Sequence, residues 1–259
     1  MSKFYRITSY ISYWLDAINI HSLQAPFIYE LYKNILVNNK NTSQYASIEK
    51  IREKFKASEH SIDVEDFGSG SQKNSNSRRR ITDIASHGIT KRKYSVIMEQ
   101  MIRYMKCTNV LELGTSLGIN ALYLSLYRNC TVTTFEGSGS LANIANELLE
   151  DQRENVQVIE GNIDDTLPHF LEQSDKLDFV YFDANHRYNA TLKYYDLCLR
   201  KSHNTTCFVF DDIHLTPEME KAWIWIKNHY QVTLTIDLYQ IGIVFINPDL
   251  SKQHYVLEL

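Results

Sequence analysis

VLELGTSLG, Val110 to Gly118, is an apolar strand that runs into an acidic residue, a glycine turn and the start of a helix. A second strand follows and ends in a carboxylate, in TTFEG at Thr133 to Gly137. The glycines let the backbone come close to a ligand. The acid at the tip of the second strand, Glu136, can accept both hydroxyls of a ribose. Together they predict a Rossmann-like sheet that holds a nucleoside cofactor.

Outward from this stretch, strands and helices alternate. Strands are expected at 110–113, 131–135, 156–160, 177–182 and 206–210, each followed by a helix. The last two strands, VTLTID (232–237) and IGIVFIN (241–247), lie too close for a helical crossover and must pair as an antiparallel hairpin. The expected fold class is therefore α/β: a Rossmann-like, seven-stranded, doubly wound sheet with an antiparallel C-terminal hairpin. Upstream, Ile28 to Leu36 and Ser47 to Phe55 space their apolar residues as helices do, and a further helix is expected from Thr90 to Lys106. Residues 66–80, DFGSGSQKNSNSRRR, read as a loop ending in the run Arg78 to Arg80. The functional version of that loop is a lid that orders over cofactor or an acidic substrate; the plain version is a solvated segment. This division gives an N-terminal helical extension with a lid loop at 1–89 and a transferring domain at 90–259.

The bulk numbers fit one well-filled globular chain of 259 residues, 44% hydrophobic and 22% charged. A net charge of −4 argues against a nucleic-acid partner, which needs a clustered positive field. Cys107, Cys130, Cys198 and Cys207 form no CxxC pair and read as buried, reduced thiols of a cytoplasmic protein. Tyr10 to Ile20 is apolar but carries Asp16 and is too short to span a bilayer; it reads as an amphipathic helix that docks on something. An apolar N-terminal helix pair is a candidate homodimer surface.

The strand order with its reversed last strand resembles the class I S-adenosylmethionine (SAM) methyltransferases, over about Thr90 to Asn247. ELGTSLG at 112–118 resembles the first motif of catechol and caffeoyl-CoA type O-methyltransferases. HSLQAPFIYELY at 21–32, DFGSGS with its basic run, and DDIH followed by Ala222-Trp223 resemble a Bacteroidetes-type bacterial group. The resemblance implies SAM as cofactor, held by Glu112, Gly114, Thr115, Ser116, Gly118, Glu136, Gly137, Asn162, Ile163 and Asp183. Asn162 stands where that family usually has Asp.

Ligands of open α/β sheets sit outside the carboxyl ends of the strands. Asp183 in YFDANH, and Asp211 and Asp212 in VFDDIH, fall on such ends. Their hard oxygens suit Mg²⁺, Mn²⁺ or Ca²⁺. In the catechol-type family the positions of Asp183 and Asp211 bind the metal, and Asp212 replaces an Asn. His186 and His214, each three residues past an acid, are the candidate general bases, with Asp183 beside the chemistry. Trp223 is expected in the core and Trp225 partly exposed.

The expected function is SAM-dependent O-methyl transfer to a small hydroxylated molecule, divalent-metal assisted or not. The alternatives are a metal-independent N- or O-methyltransferase, a non-catalytic SAM-binding protein, and a nicotinamide oxidoreductase. The missing GxGxxG spacing disfavours the last.

Overall fold

The structure is a computed structural model, and it describes residues 3–23, 25–37, 43–65, 76–150, 152 and 154–259. Helix α1 spans Lys3–Asp16, and α2 (Pro26–Leu31) widens into a π-helical turn over Tyr32–Leu36. Helix α3 (Ser43–Lys56) precedes strands β1 (Ser61–Glu65) and β2 (Asn76–Arg80) and the short helix α4 (Ile81–His87). After α5 (Arg92–Met105) the alternation begins: β3 (Asn109–Leu113), α6 (Ile119–Leu124), β4 (Thr131–Glu136), α7 (Gly139–Glu150), β5 (Val156–Glu160) and α8 (Ile163–Gln173). It continues with β6 (Phe179–Phe182), α9 (Tyr188–Leu199), β7 (Cys207–Asp211) and α10 (Pro217–Asn228). Strands β8 (Leu234–Asp237), β9 (Ile241–Phe245) and β10 (Gln253–Val256) close the chain. This is the expected mixed α/β class: parallel strands threaded by helices and finished by a reversed strand.

The chain divides into two compact units, residues 39–175 and residues 1–38 with 176–259. In the first, β3, β4 and β5 run parallel in that order, with Glu112 opposite Thr134 and Glu136 opposite Glu160. Tyr45 and Ile48 of α3 pack with Val96 of α5 and with Ile119, Leu122 and Tyr123 of α6. Val64 of β1 packs with Leu117 and Leu141, so the β1–β2 hairpin is anchored beside the glycine turn and the start of α7.

In the second unit, β6 pairs with β7 in parallel, and β9 pairs antiparallel with both β7 and β8. Strand β9 is the reversed strand that the short connection demanded. Burial on both faces explains why CFVFD and IGIVF are near-continuous apolar runs. Trp223 lies 1% exposed and Trp225 42% exposed, as the sequence suggests.

Two readings need correction. Residues 66–80 are not a loop throughout: 76–80 form β2, paired with β1 so that Asp63 faces Arg78 and Ile62 faces Arg79. The arginine run therefore alternates between two sheet faces, because side chains along a strand alternate. Residues 66–75 lie outside the described set. The closing hairpin also has a further neighbour, β10, which lies parallel to β8. Among the described residues, no helix is long and apolar enough to cross a membrane.

Candidate functional site

In the unit of residues 39–175 the turn after β3 is built to approach a ligand. Gly114 has φ 107° and Gly118 φ 80°, both left-handed values that side chains disfavour. A Cβ on Gly118 would sit 3.3 Å from the Cβ of Ala145 on α7, so the turn also needs glycine for close packing. The N–H groups of Gly114 and Thr115 both donate to the Phe135 carbonyl at 3.0 Å, tying the turn to the end of β4.

Glu136 is the acid at that end. One carboxylate oxygen accepts the Ser116 N–H at 2.8 Å and the other accepts the Ser138 N–H at 2.9 Å. These two backbone N–H bonds hold the carboxylate in a fixed orientation at the strand end. Gly137 joins Glu136 to Ser138, and the Ser138 hydroxyl in turn accepts the Glu65 N–H at 3.4 Å.

Glu112 behaves differently. It is fully buried, and its two oxygens accept Asn120 Nδ2 and Thr134 Oγ1, each at 2.7 Å. Thr115 Oγ1 reaches Thr134 Oγ1 at 2.6 Å. Glu112 thus knits β3, β4 and α6 beneath the turn. Asn162 caps α8 by accepting the Asp164 N–H through Oδ1 at 3.0 Å, and Ile163 follows as the first residue of that helix. An amide does this as well as a carboxylate, which is the local reason the Asp-to-Asn departure is tolerated.

In the other unit, Asp183 follows β6 and Asp211 ends β7. The two carboxyl groups share a hydrogen bond, and Asp211 is 4% exposed with Oδ1 buried and unpartnered. Burial, then the charges of Asp183 and Asp212, push the Asp211 carboxyl well above the usual carboxylate range. His186 turns Nε2 toward Asp183 Oδ1 at 3.5 Å. Burial lowers the proton affinity of this imidazole, but the Asp183 hydrogen bond and the charges of Asp183 and Asp212 outweigh it and leave the pKa raised. Asn185, His186 and Asp212 have φ of 67°, 40° and 55°, so both strand-end turns are held in the left-handed region.

His214 serves another network. Its Nε2 bonds Asp237 Oδ2 at 2.8 Å, its ring stacks on Tyr239, and its Nδ1 is buried with Glu220 3.7 Å away. Asp237 also accepts Trp223 Nε1 at 3.0 Å and the Tyr239 N–H at 2.9 Å.

A divalent ion would find two touching carboxylates and one unpartnered oxygen here, a set that suits a hard cation retaining several waters. Among the described residues, no group of three or more His, Cys, Asp or Glu side chains is arranged to hold a metal ion, although Asp183 and Asp212 lie near enough to act on the Asp211 carboxyl.

Residues 111–213, from β3 through the acids after β7, match a family model described as a methyltransferase domain. This matched segment is similar to methyltransferase domains and holds both the glycine turn and the acids after β6 and β7. The O-methyltransferase TomG of Streptomyces achromogenes, solved with SAM, superposes with a TM-score of 0.59 at 15% identity, covering 82% of this chain and 92% of its own. The O-methyltransferase of Bacillus cereus, solved with SAH, gives 0.56 at 16% identity, covering 87% and 99%. A Staphylococcus aureus protein provisionally named a caffeoyl-CoA O-methyltransferase gives 0.59 at 16% identity, covering 85% and 98%. At these identities the likeness is one of fold. No curated protein sequence matches.

Within the matched segment, sequence reading missed three supporting residues: Asn120, Thr134 and Ser138. Their signal was present but weak. A small polar residue two past a strand-end acid, at a helix start, is a ready backbone donor to that acid. Asp237, outside the matched segment, was also missed, because nothing local links it to a histidine 23 positions away.

Proposed function

We propose that the chain transfers a methyl group from SAM to a hydroxyl oxygen of a small molecule. The observation that carries this reading is Glu136, pinned by two backbone N–H groups across the Gly114 turn, in a segment matching a methyltransferase domain. Gly114, Thr115, Ser116, Gly118, Glu136, Gly137, Asn162 and Ile163 are the proposed cofactor contacts, with Glu112 as their buried brace. Bound SAM supplies a sulfonium-activated methyl group, so the chain has mainly to position the acceptor and remove one proton. Asp183 orients His186 through Nε2, which leaves Nδ1 to take the hydroxyl proton as the new C–O bond forms. SAM, when bound, would supply the methyl group and retain on its sulfur the electron pair of the methyl–sulfur bond. His214, held by Asp237, supports the loop after β7.

Titration calorimetry with SAM, followed by methyl transfer from labelled SAM to a panel of phenols and catechols, tests the reading. Binding and turnover are expected; absence of SAM binding removes it, and binding without turnover favours a SAM-binding protein that is not an enzyme.

The unpartnered Asp211 oxygen favours a second version in which a divalent cation sits on Asp183 and Asp211, with Asp212 nearby. Activity lost with a chelator and restored by Mg²⁺ supports that version; activity indifferent to chelation leaves His186 alone. We further read residues 1–89 as an extension to the transferring part at 90–259. We also read the sequence marks at 21–32, 66–80 and 211–223 as a likeness to the Bacteroidetes-type group. Four free, buried cysteines fit a reducing, cytoplasmic setting.

A further inference from the structure

Helix α1 has one face secured and one face bare. On the secured side, Tyr5 donates to Glu220 of α10 at 2.8 Å, Tyr13 donates to the Leu257 carbonyl at 2.6 Å, and Tyr10 and Tyr13 pack their rings on Tyr239. The bare side carries Phe4, Ile7, Ile11 and Trp14, with Tyr10 and Leu15 along its margins. Phe4 is 74% exposed, Leu15 69% and Trp14 61%. Such a stripe is costly to leave in water on a helix that is already anchored.

We propose that this stripe is a two-fold interface with the α1 of a second copy of the same chain. Its spacing of three, four and three residues from Phe4 through Ile7 and Ile11 to Trp14 is the seam that packs against a like helix at a shallow angle. Thr8, Tyr10 and Leu15 beside the stripe are uncharged, and the one charged residue at its margin, Lys3, lies in the first turn of the helix, away from the middle of the seam. With aromatic side chains of roughly 150–250 Å² each, the stripe offers on the order of 700 Å² of apolar surface. That approaches the ~800 Å² per partner of a stable interface. Ile224, half exposed one turn beyond Glu220 on α10, extends the face at the Tyr5 end. A membrane surface fits less well: α1 has only Lys3 and Arg6 as cations, and its other side is taken up by the protein rather than by a basic polar face.

Sedimentation equilibrium of the full chain at micromolar concentration tests this. The expected mass is twice the 30.3 kDa of the chain. Trp14→Glu and the milder Ile11→Ser should weaken association by roughly 30-fold or more, with far-UV circular dichroism unchanged because both side chains already face solvent. A parent that sediments at the single-chain mass overturns the proposal, and co-sedimentation of that monomer with phosphatidylcholine–phosphatidylglycerol vesicles would hand the stripe to a membrane. Variants that stay dimeric with the parent's affinity overturn it as well. None of these readouts depends on SAM, so this proposal and the methyl-transfer reading can fail separately.

Discussion

Glu136 accepts two backbone N–H bonds before any ligand arrives, so binding need not first order it. Glu136→Ala removes the acceptor for a diol, and hydrogen bonds to charged groups contribute about 1.5–3 kcal/mol each. SAM affinity by calorimetry should fall more than about tenfold with the fold retained. His186 gives a pH signature. Its folded pKa is raised above the unfolded value of about 6.5. The stabilisation it contributes is therefore fully present below that unfolded value and is lost as pH rises through the folded one. Its use as a base runs the other way: methyl transfer should climb over the same interval, and His186→Gln should flatten the profile. A steep limb surviving in that variant would move the proton to another group. Glu136 was legible in the sequence because a strand, an acid and a glycine are consecutive. His214 was ambiguous because its partner, Asp237, is joined to it only by the fold.

At the scale of elements, α10 and β9 depend on one glycine. A Cβ at Gly242 would lie 2.7 Å from the Trp223 ring, inside any tolerable contact. The indole is fully buried and its Nε1 is fixed on Asp237, so it has nowhere to move. Gly242→Ala should cost about 1–3 kcal/mol, the usual penalty of overpacking, read as a lowered denaturant midpoint at unchanged slope. The same elements show what sequence pattern can and cannot carry. Strands β6 and β7 announce themselves through FVYF and CFVF, because burial on both faces demands continuous apolar residues. Strand β2 does not: NSRRR has no apolar alternation, and it becomes a strand only because β1 lies opposite. Strand β10, QHYV, is likewise made by its neighbour β8.

At the scale of the whole molecule, the unit of residues 1–38 and 176–259 is made from the two ends of the chain. Its edge is tied across more than 200 positions: Tyr13 and Tyr32 donate to the carbonyls of Leu257 and Glu258 at 2.6 and 2.8 Å, and Ile18 bridges Leu257. No local pattern could reveal this, since each segment alone is a short helix or a short polar strand. The closure implies that α1, β8 and β10 open together, as one cooperative set. Removing residues 253–259 takes away β10 and all three ties at once. Native-state hydrogen exchange of that truncated chain should show lost protection in Lys3–Asp16 and Leu234–Asp237, while α5 and β3 of the other unit keep theirs. Uniform loss across both units would mean instead that the chain unfolds as a single block, and the tail would then be a global staple rather than the edge of one unit.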